Sequence, residues 1–424
     1  MPSSEQIREL AEFLAIPSVS LHGGPAMDAA AEWVAARLPN GRVVDRVALG
    51  ELPGPPGAPT ILVYGHYDVQ PPGDDAAWTS PPFAADVRDG RIYARGATDD
   101  KGPVFVALET ARAFGAAPPL NVKFLIEGEE EIGSPSLPGF LRAHADELRA
   151  DLVVSADGAM WRPSEPSVPI AAKGLLALDI EVTGPGSDLH SGRHGGAVQN
   201  PNHALAEILA SLHAEGRVAV PGFYAGVRDV ALGDIPFSEA DYRRDVGVPA
   251  LFGEPGYSTL ERLWTRPTLE VNGLHGGGDF TVIPRRASAH ITCRLVPGQD
   301  PDAVFAAIER HVTAPPGVTV AVRRQPGAVP AYELDRGHPA VEAAVGALRH
   351  AYPGSEPLLV RIGGTLPAAV VFERELGLKT LLFSFSTADE RLHAPDEFFR
   401  LERIDAGIAA WSELWRRLSA MMPG

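Results

Sequence analysis

The sequence predicts an α/β protein: a domain built on a mostly parallel sheet, interrupted by a smaller inserted α+β domain. Three observations carry the prediction. Short apolar runs (Ile61-Leu62-Val63-Tyr64, Val122-Lys123-Phe124-Leu125-Ile126 and Leu152-Val153-Val154) alternate with helix-spaced stretches such as 104–114, as strands joined by crossover helices do. After about Pro169 the texture changes to longer alternating strands with fewer helices. From about Ala331 the first pattern returns and closes on Thr380-Leu381-Leu382-Phe383-Ser384-Phe385. The expected domains are therefore 1–172 with 325–424, discontinuous, and 173–324, inserted.

The elements follow in order. Ser3 and Gln6 form a capping-box pattern ahead of a helix reaching Leu14. The three apolar runs supply the first strands. In the inserted stretch, 174–182 reads as a strand, 202–212 as a helix, 289–296 as a strand, 303–312 as a helix and 318–323 as a strand. Between them 216–268 is long and irregular. Cys293 sits in the alternating run Ala289-His290-Ile291-Thr292-Cys293-Arg294-Leu295, so it reads as a buried structural thiol rather than a nucleophile.

Composition narrows the function classes. The 424 residues are 45% hydrophobic and 21% charged, ordinary values for a chain with a sizeable core. The formal charge of −17 argues against nucleic acid or an anionic membrane as partner. A single cysteine permits no intrachain disulfide and fits a reducing compartment. The first residues lack the basic and apolar regions of a secretory signal, and no apolar run is long enough to span a bilayer. The expected location is the cytoplasm.

Ligands of open α/β sheets bind beyond the carboxyl ends of the strands. Gly65-His66-Tyr67-Asp68, Glu127-Gly128-Glu129-Glu130-Glu131, Ser155-Ala156-Asp157 and the segment containing His393 all follow predicted strands, and Thr98-Asp99-Asp100-Lys101 precedes a helix. Histidine with carboxylate and no thiolate suits zinc, manganese or cobalt. In His66-Tyr67-Asp68 residues i and i+2 face the same way, so His66 can bind a metal while Asp68 holds its other ring nitrogen. A hydrogen-bonded surface turn reads equally well from this motif alone. The acidic triplet 129–131 fits a solvated face, or one carboxylate on a metal and its neighbour facing water.

Taken together, Gly65-His66-Tyr67-Asp68-Val69-Gln70-Pro71, the segment 95–102, Glu130-Glu131-Ile132-Gly133-Ser134, Asp188-Leu189-His190-Ser191-Gly192, Arg361-Ile362-Gly363-Gly364-Thr365 and His393-Ala394-Pro395 occur in an order that resembles the M20 family of di-metal peptidases, close to the dipeptidase branch that includes carnosinases. The resemblance implies a catalytic domain and an inserted lid and dimerisation domain. It implies two divalent ions, most simply Zn²⁺ with Mn²⁺ or Co²⁺ as alternatives. One would be held by His66, Asp99 and Asp157, the other by Asp99, Glu131 and His393. Two ions, three carboxylates and a hydroxide sum to zero charge. Glu130 would be the general base and Asp68 the group orienting His66. His190 would act across a homodimer as oxyanion donor. Arg294, with Thr365 and His338 near it, Thr281 from across the dimer and Arg361 of the fifth motif would form the substrate-binding set. The implied peptide after Asp99 is cis. The implied activity is hydrolysis of dipeptides or short peptides with a free C-terminal carboxylate, or alternatively N-acyl amino acid hydrolysis at the same site. Two positions depart from the pattern: Phe280 stands where a lysine is usual, which bears on specificity, and Asp396 replaces an asparagine.

Overall fold

The computed structural model describes residues 1–421. The chain divides into two compact units: Met1–Ile170 with Leu334–Val360 and Pro367–Gly424, and Ala171–Glu333 with Arg361–Leu366. The second unit is thus longer than the expected 173–324. The reason is that the chain doubles back after the strand Thr319–Arg324. Leu175 bridges Val329, Tyr332 and Glu333 pair with Ala172 and Ala171, and the Lys173 amide donates to the Ile362 carbonyl at 3.2 Å.

The first unit is built on a six-stranded sheet in the order Arg42–Val44, Val47–Leu52, Asn121–Glu127, Thr60–His66, Leu152–Ser155 and Thr380–Leu382. The last four strands are parallel and the first two antiparallel. Thr60–His66 and Leu152–Ser155 are buried along nearly their whole length, which is why they read as unbroken apolar runs. The capping box at Ser3 and Gln6 opens the helix Ser4–Leu14 as expected. The helix Gly102–Phe114 has Pro103 in its first turn, where no amide is missed. It packs on Glu402–Met421, where Phe114 stacks on Trp415 at 5.2 Å between centroids. The final strand is shorter than its apolar run, ending at Leu382.

The second unit carries a four-stranded antiparallel sheet in the order Thr268–His275, Arg286–Leu295, Gly174–Thr183 and Thr319–Arg324. Burial alternates strictly along the two central strands. Their inward residues Leu176, Leu178, Ile180, Ile291 and Leu295 pack with Leu205 and Ile208 of the helix Pro201–Ser211 and Ile308 of Pro301–His311. Cys293 belongs to this core, and burial pushes its thiol up to about 12, as suits a structural thiol. Among the described residues, no helix is long and apolar enough to cross a membrane.

Candidate metal centre

In the first unit the register levels the strand ends. His66 pairs with Glu127, and Tyr64 with both Leu125 and Ser155. The three segments that follow therefore leave the sheet at one edge. Gly65 lets this edge close: a Cβ there would lie 2.6 Å from Val104 Cγ2 and 2.7 Å from Asp100 Oδ2.

His66 is fully buried. Its Nδ1 lies 3.0 Å from the Asp68 carbonyl oxygen, an obligate acceptor, so Nδ1 carries the proton and Nε2 points at Asp99 Oδ1, 3.1 Å away. The Asp68 carboxylate is farther from Nδ1, at 3.4 Å. Its closer partners are the amides of Glu130 and Glu131, at 3.2 and 3.0 Å. Asp68 thus orients His66 chiefly through its main chain, while its side chain fixes the turn that carries the two glutamates. Asp99 extends its other oxygen to His393 Nε2 at 2.9 Å, and the Asp99–Asp100 peptide is cis. Gln70 Nε2 holds Glu131 Oε2 at 2.9 Å, and the same oxygen lies 3.3 Å from His393 Nε2.

The result is two overlapping triads, His66–Asp99–Asp157 and Asp99–Glu131–His393, each with one ligand atom per residue within 4.8 Å of the others. Asp99 is common to both. Burial alone pulls His66 down, but bonds to Asp68 and Asp99 outweigh it and hold the ring well above its ordinary value. Bonds to Asp99 and Glu131 push His393 up to about 10. Burial, reinforced by the Asp157, Asp99 and Glu131 carboxylates, pushes Glu130 up to about 9. Asp157 is pushed up to about 6 in the same way. Such a cluster calls for added positive charge. The side-chain atom Glu131 Oε1 is buried without a hydrogen-bond partner, an orphaned acceptor that fits a cation.

The second unit holds most of the other predicted residues. Leu189–His190 pairs with Val282–Ile283, and the Ser191 amide donates to the Thr281 carbonyl at 2.9 Å, so His190 and Thr281 are neighbours despite their distance in sequence. Both are exposed. His190 Nδ1 accepts from the Gly192 amide at 3.1 Å, which leaves Nε2 as the donor. Arg294 donates to Thr365 Oγ1 at 2.7 Å. Arg294 also lines a cavity of about 680 Å³ with Arg217, Arg262 and Arg266 against Glu254 and Glu270, a positive lining in a chain of net charge −17. Arg361 is committed elsewhere. It pairs with Glu333 at 2.7 Å, which also takes Arg228. His338, in the first unit, caps the helix Pro339–Ala351 by accepting from the Ala340 amide.

An open sheet with histidine–carboxylate triads at the ends of its parallel strands is the architecture of a metal-dependent hydrolase. The chain belongs to peptidase family M20/M25/M40, whose family model matches residues 62–417. It is 30% identical over 400 residues to the Cys-Gly metallodipeptidase dug1 of Schizosaccharomyces pombe, covering 89% of this chain and 83% of that one. It is also 30% identical over 417 residues to the Beta-Ala-His dipeptidase of Homo sapiens, covering 92% and 81%. The solved structure of an M20 family metallo-carboxypeptidase from Sulfolobus solfataricus superposes with a TM-score of 0.84 at 28% identity, covering 99% of this chain and 100% of that one. The chain is accordingly a hydrolase of the metallopeptidase type.

Proposed function

We propose that the chain cleaves the peptide bond of dipeptides or short peptides that carry a free C-terminal carboxylate. The observation that carries this reading is the pair of triads sharing Asp99, with Glu130 beside them. His66, Asp99 and Asp157 would hold one divalent ion, and Asp99, Glu131 and His393 a second. Bound there, two Zn²⁺ ions (or Mn²⁺ or Co²⁺) would supply Lewis acidity to the scissile carbonyl and acidify the attacking water. Glu130 takes the proton of that water and passes it to the leaving amine. Its raised affinity for a proton suits the second task, and nearby cations would lower that affinity for the first. His190 donates from Nε2 to the developing oxyanion of the partner subunit's substrate in a homodimer, with Thr281 beside it. Arg294 and Thr365 bind the substrate carboxylate, for which the positive cavity lining is supporting chemistry. The buried thiol Cys293 is compatible with work in the cytoplasm.

Elemental analysis of gently purified protein should find about two divalent ions per chain. A panel of dipeptides against N-acetyl and N-succinyl amino acids should show the dipeptides cleaved faster. Activity that survives exhaustive chelation would sink the metal reading. Turnover confined to the acyl amino acids would make the chain a deacylase instead.

A further inference from the structure

We infer that Glu397 is a positioning residue of the metal centre: its carboxylate clasps the backbone that presents Asp99 and ties it to the loop that presents His393. The inference rests on the di-metal reading above. Glu397 is fully buried. One carboxylate oxygen accepts from Arg95 Nη1 at 2.7 Å and the Gly96 amide at 2.9 Å. The other accepts from the amides of Thr98 at 3.0 Å and Asp99 at 3.2 Å. The main-chain oxygen of Glu397 accepts from the Ala94 amide at 3.1 Å. The whole carboxylate is thus spent on residues 95–99, and the Arg95 cation offsets the cost of burying it.

The last of these amides belongs to Asp99, whose two oxygens each face one histidine. His393 stands four residues before Glu397, in a turn where Arg391 and His393 take positive φ of 62° and 57°. A single side chain therefore joins the two loops whose ligands must meet. The loop has other tethers: Thr98 Oγ1 donates to Glu390 at 2.6 Å, and Ser386 Oγ donates to the Thr98 carbonyl at 2.5 Å. Loss of Glu397 would leave the segment attached while freeing the amide of the residue common to both triads. Both ions should feel it, whereas loss of Asp157 or Glu131 touches one triad only.

Glu397→Gln tests this, because it turns one acceptor oxygen into a donor facing amide donors. The measurements are Zn²⁺ affinity by chelator competition, the absorption spectrum of the Co²⁺-loaded protein, kcat and KM at metal saturation, and the melting temperature. Phe114→Leu, which loosens the stack of Phe114 on Trp415, serves as a destabilised control. The expected result is that Glu397→Gln binds both ions about 10- to 100-fold more weakly, the usual effect of losing a group that orients metal ligands. The Co²⁺ spectrum should shift and kcat should fall more than KM rises. The control should melt earlier yet bind both ions like the wild type. Unchanged affinity with an unshifted spectrum overturns the inference, whatever the melting temperature does, and so does weakening of one ion alone. If the wild type itself takes up fewer than two ions, the di-metal reading has failed and the inference falls with it. Should Glu397→Gln not fold, Glu397→Asp is judged by the same criteria. A chain that folds in neither form makes Glu397 a residue of the fold alone and overturns the proposal.

Discussion

His66 and His190 are both histidines that the sequence singles out, and the two units treat them in opposite ways. His66 is fully buried, with one ring nitrogen on a carbonyl and the other on Asp99. His190 is exposed on a two-stranded ribbon, its ring accepting from the Gly192 amide. If His66 holds a metal as proposed, this fixing by its neighbours puts it in place before the ion arrives. If His190 donates to the partner subunit's substrate as proposed, it must be reachable, and one bond is enough to set its tautomer. On that proposal His66 is preorganised and His190 is presented.

The largest expected effect probes the first unit. Glu130→Gln should retain both metals and lower kcat by roughly 10²- to 10⁴-fold, since only the proton carrier is lost. Glu131→Gln should instead weaken one ion. Metal content measured beside kcat for each variant checks the pair, and swapped phenotypes would reverse the two assignments. Next comes the second unit. His190→Ala should lower kcat by on the order of 10² to 10³ with metal content intact. Mixing it with Glu130→Gln should restore activity as subunits exchange, because one site of a mixed dimer regains both residues. A mixture that stays inactive while heterodimers form rules out action across the interface.

The smallest effect concerns what the units share. Lys101 in the first donates to the carbonyls of Phe13 and Ile16, and Lys173 in the second to those of Arg262 and Arg266. Burial pushes both amines down to about 7. Between that value and the ordinary lysine value the unfolded chain holds a proton that the folded chain lacks, so stability rises with pH across this window. Each lysine contributes at most about 1.4 kcal/mol per pH unit there. Lys101→Met and Lys173→Met should each flatten the rise between pH 7 and 10, read from urea unfolding of the two variants against the wild type. A steeper rise in either variant would contradict the burial argument for that unit.

The sequence makes the doubly buried strands legible, because Thr60–His66 and Leu152–Ser155 have no solvent face to interrupt their apolar runs. Two less regular strands escape notice. Thr268–His275 carries Glu270, Asn272 and Gly273, is mostly exposed, and breaks register between Val271 and Gly273, so no alternation survives. Val47–Leu52 is interrupted by Gly50 and Glu51. In the site, the triad residues stand out because polar groups at the ends of apolar strands are conspicuous. Gln70 and Glu397 lie inside recognisable segments, but one grips a glutamate and the other grips main-chain amides, and neither task leaves a compositional mark. Arg361 shows what a motif cannot convey, since its ion pair with Glu333 leaves no mark in the local sequence.

The interrupted layout of the first unit also sets an order of events during synthesis. Thr380 pairs with Val153, so the sheet has to wait for its last strand until the intervening segment has been made. The second unit, almost continuous from Ala171 to Glu333, has most of its residues in hand by then. At roughly 5 to 20 residues per second, the ribosome has released His66, Asp99, Glu131 and Asp157 many seconds before His393. The nascent chain therefore carries an incomplete set while the second unit is made. The histidine that finishes it emerges four residues ahead of Glu397, and both precede the helix Glu402–Met421.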